Sequence, residues 1–250
     1  MKRKGDVGYG SYKKRVGAPA PSVRVRGKNT KKARTQFSAV GRDSTSSRAI
    51  NCRYSPPFGD KLKALVTYAD IGSSLNPTIG PVTAGYVYSC NGLYDPNITG
   101  TGHQPMGFDQ LMVIYQRYTV IGAKAIVTFI NTDATNASNV GLLVTRSTTV
   151  NASPTQIMEQ GLGQFKLLSP SGSNGDSVTL ELAINPNKFL DKSDPLDDES
   201  LGGTSASNPG TQCYFNIWAC GNTADAGAVL FNIRLEYLAV FHMPNEITQS

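Results

Sequence analysis

Eight stretches of alternating or unbroken apolar residues, turn residues between them and only two short helical patterns predict an all-β chain. The form that fits this count is a single eight-stranded antiparallel jelly-roll sandwich, with its short helices in the loops. The predicted strands are Lys61–Ala69, Val82–Cys90, Thr119–Asn131, Val140–Ser147, Gln164–Ser169, Ser177–Asn185, Thr211–Ala219 and Ala228–Phe241. The last is the clearest: Val229, Phe231, Ile233, Leu235, Tyr237, Ala239 and Phe241 alternate with Asn232, Arg234 and Glu236, as a half-buried strand requires. Val178, Leu180, Leu182 and Ile184 share one face of the sixth stretch, and Ile121, Ala123, Ala125, Val127 and Phe129 one face of the third. Asn174-Gly175, Asn208-Pro209-Gly210 and Gly221-Asn222 mark turns. An immunoglobulin-like sandwich fits less well, since no Cys…Trp…Cys pattern surrounds Trp218.

The two helical patterns are short. From Pro105 to Arg117, Phe108, Leu111, Met112 and Tyr115 fall at i, i+3, i+4 and i+7, with Pro105 expected at the first helical position and Asp109 near the positive end. Over Pro154–Gln160, Ser153 is the expected cap, Gln156 the capping-box partner and Gly161 the stop. Both fall in connections rather than alternating with strands, which argues against a parallel α/β sheet.

Charge divides the chain at about residue 53. Residues 1–53 hold fifteen Lys and Arg against two carboxylates, Asp6 and Asp43, a net charge of +13. Residues 54–250 hold nine basic and sixteen acidic groups, a net charge of −7. The first segment lacks apolar periodicity, so the sequence predicts a basic arm that is disordered when free, followed by a folded domain over 54–250. An arm of this charge predicts a polyanion partner, nucleic acid first, because Lys and Arg displace counterions condensed on phosphates. The candidate phosphate contacts are Lys2, Arg3, Lys4, Lys13, Lys14, Arg15, Arg24, Arg26, Lys28, Lys31, Lys32 and Arg34. Two clusters, Lys13-Lys14-Arg15 and Lys31-Lys32-Ala33-Arg34, are also candidate nuclear-import signals. Tyr9, Tyr12 and Phe37 lie among these charges as candidate base-stacking groups, although a chance placement accounts for them equally.

Enzymatic chemistry finds little support. The two histidines, His103 and His242, belong to no metal-ligand spacing, and neither a phosphate loop nor a G-x-S-x-G elbow occurs, so the chain reads as a non-enzyme without a cofactor. Asp191, Asp194, Asp197, Asp198 and Glu199 form an acidic cluster in the long polar stretch from Asn185 to Gly210. Calcium takes such ligands, but the register is not that of an EF-hand, so an exposed acidic loop is the expectation and no metal site is assigned. The spacing of Cys52, Cys90, Cys213 and Cys220 matches no zinc or redox motif, and they read as free thiols; the odd separation of Cys213 and Cys220 puts them on opposite faces of one strand. The basic N-terminus has no apolar stretch behind it, which predicts no secretory signal, and no apolar run predicts a transmembrane helix or a membrane partner.

One segment is more specific. Asn91-Gly92-Leu93-Tyr94-Asp95-Pro96, then Gly102-His103-Gln104-Pro105, Gly107-Phe108-Asp109-Gln110 and Tyr115-Gln116-Arg117-Tyr118, resembles the region after the second strand in capsid proteins of small circular single-stranded DNA viruses, the circovirus-like group that encodes its own replication protein. The order of basic arm, strand pair, motif with short helix and remaining strands is similar too. The resemblance implies a jelly roll whose copies, about sixty of them, close a small icosahedral shell around the genome, with the arm inside. It implies a virion protein that visits the host nucleus and meets the import machinery. The alternatives are the capsid protein of a small RNA or satellite virus, a cellular nucleic-acid-binding protein with a basic tail, and a jelly-roll lectin or cytokine-like ligand; the arm argues against the last. Loops Gly92–Gln104 and Asn185–Gly210 are the expected interface elements. In the motif, His103, Tyr115 and Tyr118 read as packing groups.

Overall fold

A computed structural model describes residues 58–80, 83–99, 102–149 and 153–246. Among the described residues nine strands are present: β1 (Lys61–Leu75), β2 (Thr83–Ser89), β3 (Tyr115–Asn131), β4 (Ser138–Thr145), β5 (Gly163–Leu168), β6 (Ser177–Ile184), β7 (Gly202–Gly203), β8 (Tyr214–Gly221) and β9 (Val229–Pro244). All eight predicted strands are found; β7, two residues beside β3, is the addition. One sheet has the order β1-β9-β3-β6 and the other β2-β8-β4-β5, with every pairing antiparallel. The chain changes sheet from β1 to β2, β2 to β3, β3 to β4, β5 to β6, β7 to β8 and β8 to β9. That interleaving is the jelly roll, so the predicted fold class holds.

The core lies between the sheets. In β9 all seven predicted apolar residues are buried, and they meet Phe129 and Val127 of β3, Phe215 and Ile217 of β8, and Val140 and Leu142 of β4 in one cluster. In β3 the alternation breaks where Val120 and Gly122 oppose consecutive residues of β9, Ala239 and Leu238. Ile121 is the extra residue of a β-bulge, which inverts the parity. Tyr118 and Val120 are therefore buried before it and Ala123, Ala125, Val127 and Phe129 after it, while Ile121 leaves the face predicted for it.

Three short helices occupy connections. α1 spans Phe108–Ile114, starting three residues later than predicted. Pro105 precedes it as a buried loop residue, because Gly107 enters the helix with φ 82°, a left-handed conformation that a residue with a Cβ adopts at a cost. α2 spans Pro154–Glu159, with Ser153 accepting from the Gln156 backbone N–H as expected. It lays Ile157 over Leu143, Trp218 and Cys220 on the outer face of the second sheet, forming a smaller apolar cluster. Gly141 makes this packing possible: a Cβ there would lie 2.3–2.4 Å from the Trp218 indole. α3 spans Pro186–Phe189, capped by Asn185, whose side chain accepts from the N–H groups of Asn187 and Lys188.

Candidate nucleic-acid interface

The twelve basic residues assigned to the arm, both import clusters, the three arm aromatics and Cys52 lie outside the described residues. What the structure does position is the strand into which the arm leads. β1 begins at Lys61 and pairs with β9, which pairs in turn with β3. The register sets Lys61 opposite His242 and His242 opposite Arg117, so three sequence-distant residues form one row across three strands. Their neighbours Phe241 and Tyr118 are fully buried in the core, so strand alternation turns His242 and Arg117 to the outer face. Lys63 heads the next row, opposite Val240, which itself faces Thr119.

The row gathers basic groups around His242 and meets one carboxylate, that of Glu199. Burial, then Arg117, then Lys61 push the His242 imidazole below its ordinary pKa. Its Nε2 lies 3.2 Å from the Thr119 hydroxyl. Arg117 reaches the Glu199 carboxylate at 3.5 Å and donates to the Glu199 carbonyl oxygen at 3.2 Å, while its buried Nε has no partner among the described residues. The Glu199 side chain is 86% exposed, so this ion pair contributes little and leaves the guanidinium charge weakly compensated. Elsewhere on the body Lys124, Lys192 and Arg234 each hold a carboxylate, at 2.6, 2.7 and 3.0 Å. Lys61 and Lys63 hold none among the described residues. In the sequence Lys61, Lys63 and Arg117 are three scattered charges among the nine basic groups of residues 54–250. His242 sits on the polar side of the β9 alternation, but its partners depend on register between segments far apart in the chain.

The segment from Asn91 to Tyr118 anchors a loop. Tyr118 Oη accepts from the backbone N–H groups of Leu93 at 3.0 Å and Tyr94 at 3.3 Å. Asn91 donates to the Thr211 carbonyl at 2.9 Å and accepts from the Cys213 N–H at 3.3 Å. Asn208 and Asp95 exchange hydrogen bonds, at 3.1 and 2.9 Å, tying the first expected interface loop to the end of the second. Tyr115 and Tyr118 are buried, and the His103 ring meets Tyr68 edge-on at 4.6 Å, in accord with packing roles. Tyr94, Asp95, Gly102, His103 and Gln104 line a depression of about 250 Å³, where partial burial pushes the Asp95 carboxyl up.

The acidic stretch is organised by local hydrogen bonds. Asp198 accepts from Lys192 Nζ at 2.7 Å and from the Ser200 N–H and hydroxyl, and these bonds hold its carboxyl down at about 2. Asp194 accepts from the Leu196 N–H at 3.0 Å. Among the described residues no three His, Cys, Asp or Glu side chains are grouped to hold a metal, so Asp191, Asp194 and Asp197 are not assembled as calcium ligands. Cys90, Cys213 and Cys220 are free and buried, with Cys213 in the main core and Cys220 in the cluster on the opposite face of the sheet, as their odd spacing predicted.

No protein-family model and no curated protein sequence matches the chain. Among solved structures it is similar to a virus-like particle of the Macrobrachium rosenbergii nodavirus, with 12% identity over 86% of this chain and 98% of that one and a TM-score of 0.44. It is similar to Desmodium yellow mottle tymovirus, with 13% identity, coverage of 86% and 100% and a TM-score of 0.39. It is also similar to tobacco necrosis virus, with 12% identity, coverage of 74% and 98% and a TM-score of 0.40. These are loose likenesses at the level of the chain trace.

Proposed function

We propose that this chain is the coat protein of a small icosahedral virus, which assembles with copies of itself into a closed shell and packages a single-stranded genome through residues 1–53. The observation that carries the reading is the segregation of charge, with +13 on 53 residues ahead of a jelly-roll body of net charge −7. Large apolar side chains left on the surface, Met106, Val113, Leu65 and Ile71 at 65–90% exposure, support self-association. About sixty copies would bring about 780 positive charges into the shell, the scale that neutralises much of a genome of roughly one to two thousand nucleotides. Flexible Lys and Arg contact phosphates without reading bases, so packaging is independent of sequence and steeply salt-dependent. The genome in this reading is single-stranded DNA, as the motif resemblance implies, and the two basic clusters of the arm direct the chain to the host nucleus.

Electron microscopy of the purified chain tests the shell: uniform particles support it, and monomer at every salt and protein concentration refutes it. Nuclease protection, followed by DNase and RNase digestion of the released nucleic acid, tests the genome type; RNase-sensitive content refutes the DNA assignment and leaves the coat function standing. Deleting residues 1–34, which hold twelve basic groups and one acid, removes packaging while the sandwich still folds.

A further inference from the structure

Three features outside the arm compete for a function. A cleft of about 740 Å³ beside Arg146 and Phe189 is open, and no feature of it specifies a ligand. The Cys90–Cys213 pair adjoins across the end of β2 and β8, but both thiols are fully buried, away from any oxidant. The basic row of Lys61, Arg117 and His242 is partly exposed and built from three strands.

We propose that Lys61, Lys63, Arg117 and His242 form a second phosphate-binding site for single-stranded nucleic acid, on the folded body, and that protonation of His242 tightens it. The inference rests on the coat-protein reading and adds to it a place where the genome meets ordered structure. In sequence, Lys61 follows the end of the basic segment at Arg53 by eight positions. Among the described residues Lys61 and Lys63 have no carboxylate to release before they meet a phosphate, unlike Lys124, Lys192 and Arg234. Thr119 and the imidazole supply hydrogen-bonding groups between the cations. The charged groups facing His242 are Lys61 from β1 and Arg117 from β3, and the carboxylate of the row, Glu199, is engaged with Arg117 at 3.5 Å. Burial first, then Arg117 and Lys61, disfavour the charged imidazole, so His242 is neutral at neutral pH and gains its charge on acidification, or when a bound phosphate offsets its neighbours. Binding therefore strengthens as pH falls.

The test uses the full chain and a fluorescent twenty-nucleotide oligothymidine, with affinity measured across salt at pH 7.5 and pH 5.5. Each phosphate contact on a single strand contributes about 0.7 to the salt slope. Lys61→Gln with Lys63→Gln should lower the slope by about 1.4 and weaken binding roughly tenfold near 0.15 M salt. Acidification should tighten wild-type binding about fourfold, the worth of one added contact. His242→Gln should abolish that gain, and His103→Gln, which changes the other histidine of the chain, should keep it. If His242→Gln unfolds, NMR titration of the two imidazoles in the wild type gives the same answer: the oligonucleotide should raise the pKa of His242 and leave that of His103 unmoved. An unchanged slope in the double lysine variant, or an unmoved His242, overturns the site. If neutralising Lys13, Lys14, Arg15, Lys31, Lys32 and Arg34 still weakens binding in that case, the coat reading survives; if the full chain does not bind at all, both fall. Phosphatidylserine vesicles competing at equal phosphate concentration would overturn the assignment to nucleic acid.

Discussion

Replacing Tyr118 with Phe deletes one oxygen from the middle of the protein. The ring is fully buried, edge-on to Phe108 at 5.3 Å, and that packing survives the change. The hydroxyl oxygen accepts two backbone N–H groups, from Leu93 and Tyr94. Burial pushes its pKa up to about 12, so it is a neutral acceptor throughout the physiological range. Leu93 is fully buried, so its N–H finds no water and costs about 1–3 kcal/mol when orphaned. Tyr94 is 39% exposed, and solvent can rehydrate its N–H at little cost. The net loss is about 2 kcal/mol, which in a domain of this size lowers the melting temperature by about 4–8 °C. Thermal denaturation followed by near-ultraviolet circular dichroism measures it, and the same samples imaged at low temperature show whether particles still form. A shift below about 1 °C would refute the claim that this hydroxyl anchors the motif loop.

Other outcomes follow from the same geometry. Gly141→Ala drives a methyl into the Trp218 ring and should cost about 1–3 kcal/mol, with a change in tryptophan emission as α2 is displaced. Asp133 accepts from the N–H groups of Thr135, Asn136 and Gly227, which hold its carboxyl far below the ordinary carboxylate range. Its folded-state pKa is depressed, so its contribution is present above about pH 4 and is lost as pH falls below that; Asp133→Asn should flatten this part of the acid-melting profile. A chelator should leave the melting temperature unchanged, because Asp191, Asp194 and Asp197 are not grouped as ligands; a fall of several degrees would reinstate calcium.

Strand alternation made the sandwich legible, because every long strand buries one face and β9 does so without a break. What escaped were features set by tertiary contact. β7 is two glycines, too short to carry a period, and exists because β3 offers it an edge. The bulge at Ile121 adds one residue to an otherwise regular run, and only the pairing with Ala239 and Leu238 reveals it. α3 had a readable signal, Asn185 followed by Pro186, hidden inside a stretch taken as irregular. The motif residues were recognisable as a set, while the reason for them, a tyrosine hydroxyl feeding two loop N–H groups, required β3 and the loop to meet. The basic row lay deeper still, since Lys61 and His242 are neighbours only through register.

The pairing of β1 with β9 also has a temporal side. Lys61 and His242 stand opposite one another but are 181 positions apart. At a ribosome's pace of about 5–20 residues per second, the basic segment and β1 are outside for roughly 10–40 s before the strand that completes their sheet exists. During that interval the chain has its charge but neither its core nor a surface for a second copy to recognise. In the proposed coat-protein role, nucleic acid would be gripped before a subunit is built, so the order of synthesis would favour particles that close on cargo already in hand.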